Sequence, residues 1–134
     1  MTRVFADTSF YIAFINPRDS LHEKASAFSS SFQGTFVTTE YVLVELGNWF
    51  SSTENRGIFV EYCRRLTITP TTIVVDAQPE LFKAGLELNE SRGDKSWSLT
   101  DCISFEIMKQ LGIAEAATAD HHFEQAGFRM ALPR

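Results

Sequence analysis

Short apolar runs alternate with longer helix-patterned segments from one end of the chain to the other, and this alternation restricts its fold more than any other feature. "TRVFADTS" (2–9) reads as a buried strand entering a short helical turn. That turn must stop near Asn16-Pro17, because a residue before proline avoids helical backbone. "SLHEKASAFSSSF" from Ser20 has amphipathic spacing. Ser20, with Glu23 three residues on, predicts a capping box, and Gly34 an end. "TFVTT" (35–39) is a second strand, followed by the apolar helix "EYVLVELGNWF" (40–50) and a further helix over 56–66. The β-branched run "TTIVVD" (71–76) predicts a third strand. Pro79 suits the first turn of a helix over 79–91. Residues 92–97 read as a loop. Ser98 and Asp101 open a helix that Gly112 closes. "AEAATAD" carries a fourth strand into a last short helix, and "FRMAL" (128–132) is a candidate edge strand. Strands alternating with helices predict an α/β fold, a central parallel sheet of about four to five strands with helices on both faces.

No internal repeat and no Pro- or Gly-rich linker interrupts this order, so 134 residues are expected to form a single domain, 1–134. With 44% hydrophobic and 22% charged residues, the chain is not a disordered one. The N-terminus shows no secretory pattern, and runs such as "YVLV" (41–44) are too short to span a bilayer; the expectation is a cytoplasmic protein with no membrane contact. Cys63 and Cys102 then read as free thiols. A net charge of −5 speaks against coating nucleic acid by bulk electrostatics. It is compatible with a nuclease whose carboxylates converge on a divalent cation.

Four acids stand in unusual places. Asp7 reads equally as a helix cap or as part of a site, and so does Asp120 in "TADHHF". Asp101 suits the first turn of its helix, where the dipole welcomes an acid. Glu45 interrupts an apolar helix and should have a cationic partner nearby. In a parallel α/β sheet the ligand site lies beyond the carboxyl ends of the strands. Asp7 and Asp120 belong on that rim, with Asp101 and Glu45 on helices that start there. Four acids at one edge repel each other without a counter-ion. Oxygen ligands without an evident His or Cys set select Mg²⁺ or Mn²⁺ over zinc, and such a cluster suits metal-assisted phosphodiester hydrolysis.

"VFADTSFYIAFINPRDSLHEKA", the acid Glu45 in an apolar helix, "SWSLTDCISFEIMK" and "AATADHHFEQAGF" together resemble PIN-domain ribonucleases, and among them the VapC-type toxins of toxin–antitoxin pairs. The resemblance covers essentially the whole chain. It implies a Mg²⁺- or Mn²⁺-dependent ribonuclease centred on Asp7, Glu45, Asp101 and Asp120. Asp7 and Asp101 resemble direct metal ligands, Glu45 a ligand direct or through water, and Asp120 a residue for a second metal or the attacking water. It further implies an RNA substrate, a cognate antitoxin and a homodimer. Ser9 and Thr118 could orient carboxylates or contact phosphate, or simply cap strand ends. Asn48, three residues from Glu45, and Lys95 with Arg92 before Asp101 are further candidates, against surface or packing roles. Adjacent His121 and His122 should diverge and not share a metal. His22 reads as structural, Arg64-Arg65 as a wet helix face, and Phe28 and Phe32 as core or partner contacts. The competing readings are a housekeeping RNA-processing nuclease, a non-catalytic PIN-like binding module and a phosphorylation-dependent receiver domain. The last would need an acidic neighbour for Asp7 and a late lysine, and has neither.

Overall fold

The computed structural model describes residues 2–132; Met1, Pro133 and Arg134, the ends of the expected domain, lie outside it. Five strands, β1 (Arg3–Ala6), β2 (Thr35–Thr39), β3 (Thr72–Val75), β4 (Glu115–Ala117) and β5 (Arg129–Met130), form one sheet in the order β3-β2-β1-β4-β5. Every pairing is parallel, as the alternation requires. The helices are α1 (Thr8–Ile15), α2 (His22–Ser31), α3 (Glu40–Trp49), α4 (Arg56–Ile68), α5 (Pro79–Ser91), α6 (Leu99–Leu111) and α7 (His122–Gln125).

The central strand β1 is apolar because both its faces are covered: Val4, Phe5 and Ala6 have no exposed surface. After β1 the chain builds β2 and β3 on one side and returns with β4 on the other. The order therefore reverses between β1 and β4, where the loops leaving two adjacent strands part and open a crevice. Asp7 follows β1 directly, and Thr118–Asp120 follow β4. α5 and α6 pack closely, and Gly85 makes this possible, since a Cβ there would lie 2.3 Å from Ile103 Cγ1. Gly112, at φ 68°, closes α6 in the left-handed conformation, and Ile113 N–H reaches back to Met108 O.

Two local expectations need correction. Ser20 does not cap α2, which starts at His22 after Leu21 and has no side-chain cap. Asp19 makes the turn instead, its Oδ1 accepting from Leu21 N–H at 2.9 Å. The segment after Asp7 is a full helix of eight residues, not a single turn, and it ends before Pro17 as expected. Cys63 and Cys102 are free thiols, and no helix among the described residues is long and apolar enough to cross a membrane.

Candidate active site

A hollow of about 540 Å³ opens at the carboxyl end of the sheet, and Asp7, Glu45, Asp101 and Asp120 all line it. Their positions follow from four different elements: the end of β1, the middle of α3, the first turn of α6 and the loop after β4. Among the described residues, no Lys or Arg lines the hollow.

Asp7 occupies the cap position of α1, yet its side chain makes no capping hydrogen bond. Its Oδ2 accepts instead from Ser9 Oγ at 3.2 Å and from Thr118 Oγ1 at 3.1 Å. Those hydroxyls are themselves fixed by backbone amides, Ala119 N–H donating to Ser9 Oγ and Asp120 N–H to Thr118 Oγ1. Ser9 and Thr118 thus orient a carboxylate at the junction of β1 and β4. Only 4% of Asp7 is exposed. Burial above all, then the negative charge of Asp101, pushes its carboxyl up to about 7; the adjacent Thr8 amide and the Thr118 hydroxyl offset only part of this.

Asp101 serves two purposes. It completes the capping box, with Ser98 Oγ accepting from Asp101 N–H at 3.0 Å and Asp101 Oδ2 accepting from Ser98 N–H at 3.2 Å. The same Oδ2 lies 3.1 Å from His122 Nδ1. Burial, then the charge of Asp120, raises its pKa above the usual carboxylate value, while the Ser98 amide and His122 pull it back.

Among the described residues, the cationic partner expected for Glu45 is not there. Thr8 Oγ1 donates to Glu45 Oε1 at 2.5 Å, so a neutral hydroxyl from the neighbouring helix holds this carboxylate. Thr8 was not singled out in the sequence, although it adjoins Asp7. His122 was also misjudged. Its Nδ1 lies between Asp101 Oδ2 and Asp120 Oδ1, the latter at 3.3 Å, and its own amide donates to Asp120 Oδ1. The two histidines do not diverge: their ring centroids are 4.7 Å apart, and Asp120, His121 and His122 offer ligand atoms within 4.8 Å of one another. The expected short helix begins at His122 and folds both rings back toward the Asp120 carboxylate.

Two candidates fall outside the hollow. Asn48 is exposed and lies over a shallow apolar patch with Leu43, Val44 and Phe59. The neighbouring Trp49 lines the hollow in its place. Lys95 does not line the hollow although Ser96 does. Arg92 is held by Asp94 at 3.0 Å and lies over the Trp97 ring, which ties it to its own loop. His22 is structural, with Nδ1 2.8 Å from Ala13 O. Arg65 pairs with Glu61 on an exposed face, and Phe28 and Phe32 stack in an aromatic cluster with Phe36.

Residues 4–129 match the PIN domain family. The chain belongs to that family. It is 27% identical over 126 residues to the 23S rRNA-specific endonuclease VapC20 of Mycobacterium tuberculosis, covering 93% of this chain and 95% of that protein. The crystal structure of VapC20, described as a Sarcin-Ricin loop cleaving toxin, superposes with a TM-score of 0.89 at 25% identity over 97% of this chain and 99% of that one. FitAcB from Neisseria gonorrhoeae has a TM-score of 0.66 at 17% identity, covering 95% of each chain. VapBC2 from Rickettsia felis also reaches 0.66, at 12% identity, over 96% of this chain and 97% of that one. The latter two show the shared fold.

Proposed function

We propose that this chain, taken whole as one PIN domain (1–134), is a divalent-metal-dependent endoribonuclease and the toxin of a toxin–antitoxin pair. The observation that carries this reading is the convergence of Asp7, Glu45, Asp101 and Asp120 on one hollow that, among the described residues, no Lys or Arg lines. Such a carboxylate set is held at a cost unless a cation joins it, and the raised pKa of Asp7 is the sign of that cost. The donors fit a hard cation, Mg²⁺ or Mn²⁺, held by Asp7 and Asp101 with Glu45 directly or through water. The nearby His121 and His122 qualify the all-oxygen expectation, because imidazole also accommodates Mn²⁺ and softer metals.

When bound, the ion offsets charge building on the scissile phosphate and raises the acidity of water. The chain's own residues do the rest. Ser9 and Thr118 fix the direction of the Asp7 carboxylate, and Thr8 that of Glu45. Asp120 orients the attacking water from the rim. His122 Nδ1, within reach of both carboxylates, holds Asp101 and Asp120 in register. The whole-chain likeness to VapC20 supports ribosomal RNA, and its Sarcin-Ricin loop in particular, as the substrate. The same likeness supports a co-encoded antitoxin that lays a helix into an apolar groove and sends a basic side chain toward the acids. The resemblance to VapC-type toxins further implies a homodimer with two sites along one RNA groove.

The test is cleavage of a Sarcin-Ricin loop oligonucleotide. Activity is expected with Mg²⁺ or Mn²⁺, none in EDTA, and none restored by Ca²⁺, whose looser coordination does not support the chemistry. Full activity in chelator, with metal-free protein verified by elemental analysis, overturns the mechanism. Arrested growth on expression of the chain alone, relieved by the co-encoded protein, separates the toxin from a housekeeping nuclease.

A further inference from the structure

The acids explain how a phosphate would be held, but not what grips the rest of the nucleotide. Trp49 is the last residue of α3 and is 64% exposed. It alone among the large exposed apolar side chains of the described residues lines the acid hollow. The contrast with Trp97 is informative. That ring is 7% exposed, stacks edge-on against Phe105 and donates its Nε1–H to Gln125 Oε1 at 3.0 Å. Trp97 is core; Trp49 is left in solvent at the mouth of the site. Leaving an indole exposed forgoes the burial energy of a large apolar side chain.

Its placement gives the reason. Glu45 and Trp49 are four residues apart on α3, so they share one face, separated by ~6 Å along the axis. Ile12 and Leu21 also line the hollow and add apolar surface to it, so the space beside the indole is not lined by charge alone. Among the described residues no Lys or Arg lines the hollow, and His122 there is engaged by Asp101 and Asp120, so the affinity for a polyanion needs a source other than ion pairing. Aromatic stacking is that source, since every base offers a π-face.

We propose that Trp49 is the stacking platform for one unpaired nucleobase, beside the phosphate held over the acids. This rests on the ribonuclease reading for the identity of the ligand. A protein partner that uses Trp49 as an anchor is the competing occupant. The apolar lining from Ile12 and Leu21 and the shared face with Glu45 favour the base.

The experiment has two arms. In Ca²⁺, where RNA binds uncut, single-stranded RNA and the Sarcin-Ricin loop oligonucleotide should quench the exposed Trp49 emission, and Trp49→Phe should lose that quenching while still binding. In Mg²⁺ or Mn²⁺, Trp49→Leu should raise KM by about ten-fold or more with kcat little changed, and Trp49→Phe by much less. A walk of single abasic sites along the RNA should find one position that costs the wild type about ten-fold and Trp49→Leu almost nothing, the signature of a lost pair. Absence of quenching, or an abasic profile identical in wild type and Trp49→Leu, overturns the platform. So does unaltered cleavage by Trp49→Leu alongside weakened antitoxin binding, which would make the residue a protein anchor. Quenching by RNA that the wild type never cleaves in either metal would remove the nuclease reading and leave the stacking site standing.

Discussion

Asp7 shows how one residue can look like a structural cap and be something else. It sits at the cap position of α1, but its side chain makes no capping bond and its Oδ2 accepts from Ser9 and Thr118. A cap tolerates asparagine almost without change. A ligand does not. Asp7→Asn should therefore cut ribonuclease activity by orders of magnitude while the fold survives, and Mg²⁺ should raise the Tm of the wild type more than that of the variant. An active variant with an undiminished metal-induced shift would return Asp7 to the role of a cap. The raised pKa adds a second expectation. Between pH ~4 and ~7 the native Asp7 keeps a proton that the unfolded chain has lost, so stability falls as pH rises through that window. Metal-free wild type should thus lose on the order of 2–4 kcal/mol from this group on going from pH 4 to 8, a loss that Asp7→Asn does not share. Denaturant melts of both proteins in EDTA across this range check it. Metal affinity should rise over the same interval, because the ion must displace that proton.

At the scale of elements, the α5–α6 contact determines where Asp101 stands, since Ile103 lies two residues beyond it on α6. Alanine at position 85 would improve helix propensity by about 1 kcal/mol. Its Cβ would also meet Ile103 Cγ1 at 2.3 Å and the Ile103 Cα and N at 3.1 Å, and backbone gives way poorly. Overpacking of this kind costs about 1–3 kcal/mol. Gly85→Ala should lower the Tm by several degrees, and adding Ile103→Ala should cost less than the sum of the two single changes. Melts of the three variants decide it. The capping pair of Ser98 and Asp101, Pro79 at the start of α5 and Gly112 at the end of α6 were all legible, because each rests on local chemistry within one turn. The capping box at Ser20 was misread because Asp19, a better turn former, stands one residue earlier. His122 and Thr8 were missed for another reason. The contact of His122 to Asp101 and that of Thr8 to Glu45 span 21 and 37 residues, and local spacing carries no signal for such pairs. Asn48 and Trp49 were equally placed to share a face with Glu45, and only the packing of α3 on the sheet chooses between them.

For the whole molecule the question is how a chain of net charge −5 takes hold of RNA. Twelve Lys and Arg stand against seventeen Asp and Glu, and the candidate site is lined by acids. Arg92 is engaged by Asp94 and Arg65 by Glu61, so two of the basic groups are partly neutralised before RNA arrives. Each phosphate contacted by Lys or Arg releases counterions and steepens the dependence of binding on salt, by ~0.7 in log–log slope for a single strand. If the grip comes from a divalent ion over the acids and from stacking on Trp49, few such contacts exist. The slope measured in Ca²⁺ between 50 and 200 mM monovalent salt should then be shallow, equivalent to about one to three phosphates. Chelation, in contrast, should abolish binding, because the bare carboxylates repel the backbone. A steep slope, equivalent to about six or more phosphates, with binding retained in EDTA would show that basic side chains outside the hollow dominate. The mode of recognition would then be electrostatic tracking of the backbone. A shallow slope with strict metal dependence ties affinity to the few places where this acidic molecule can accept RNA: the cation held by its carboxylates and the one indole beside them.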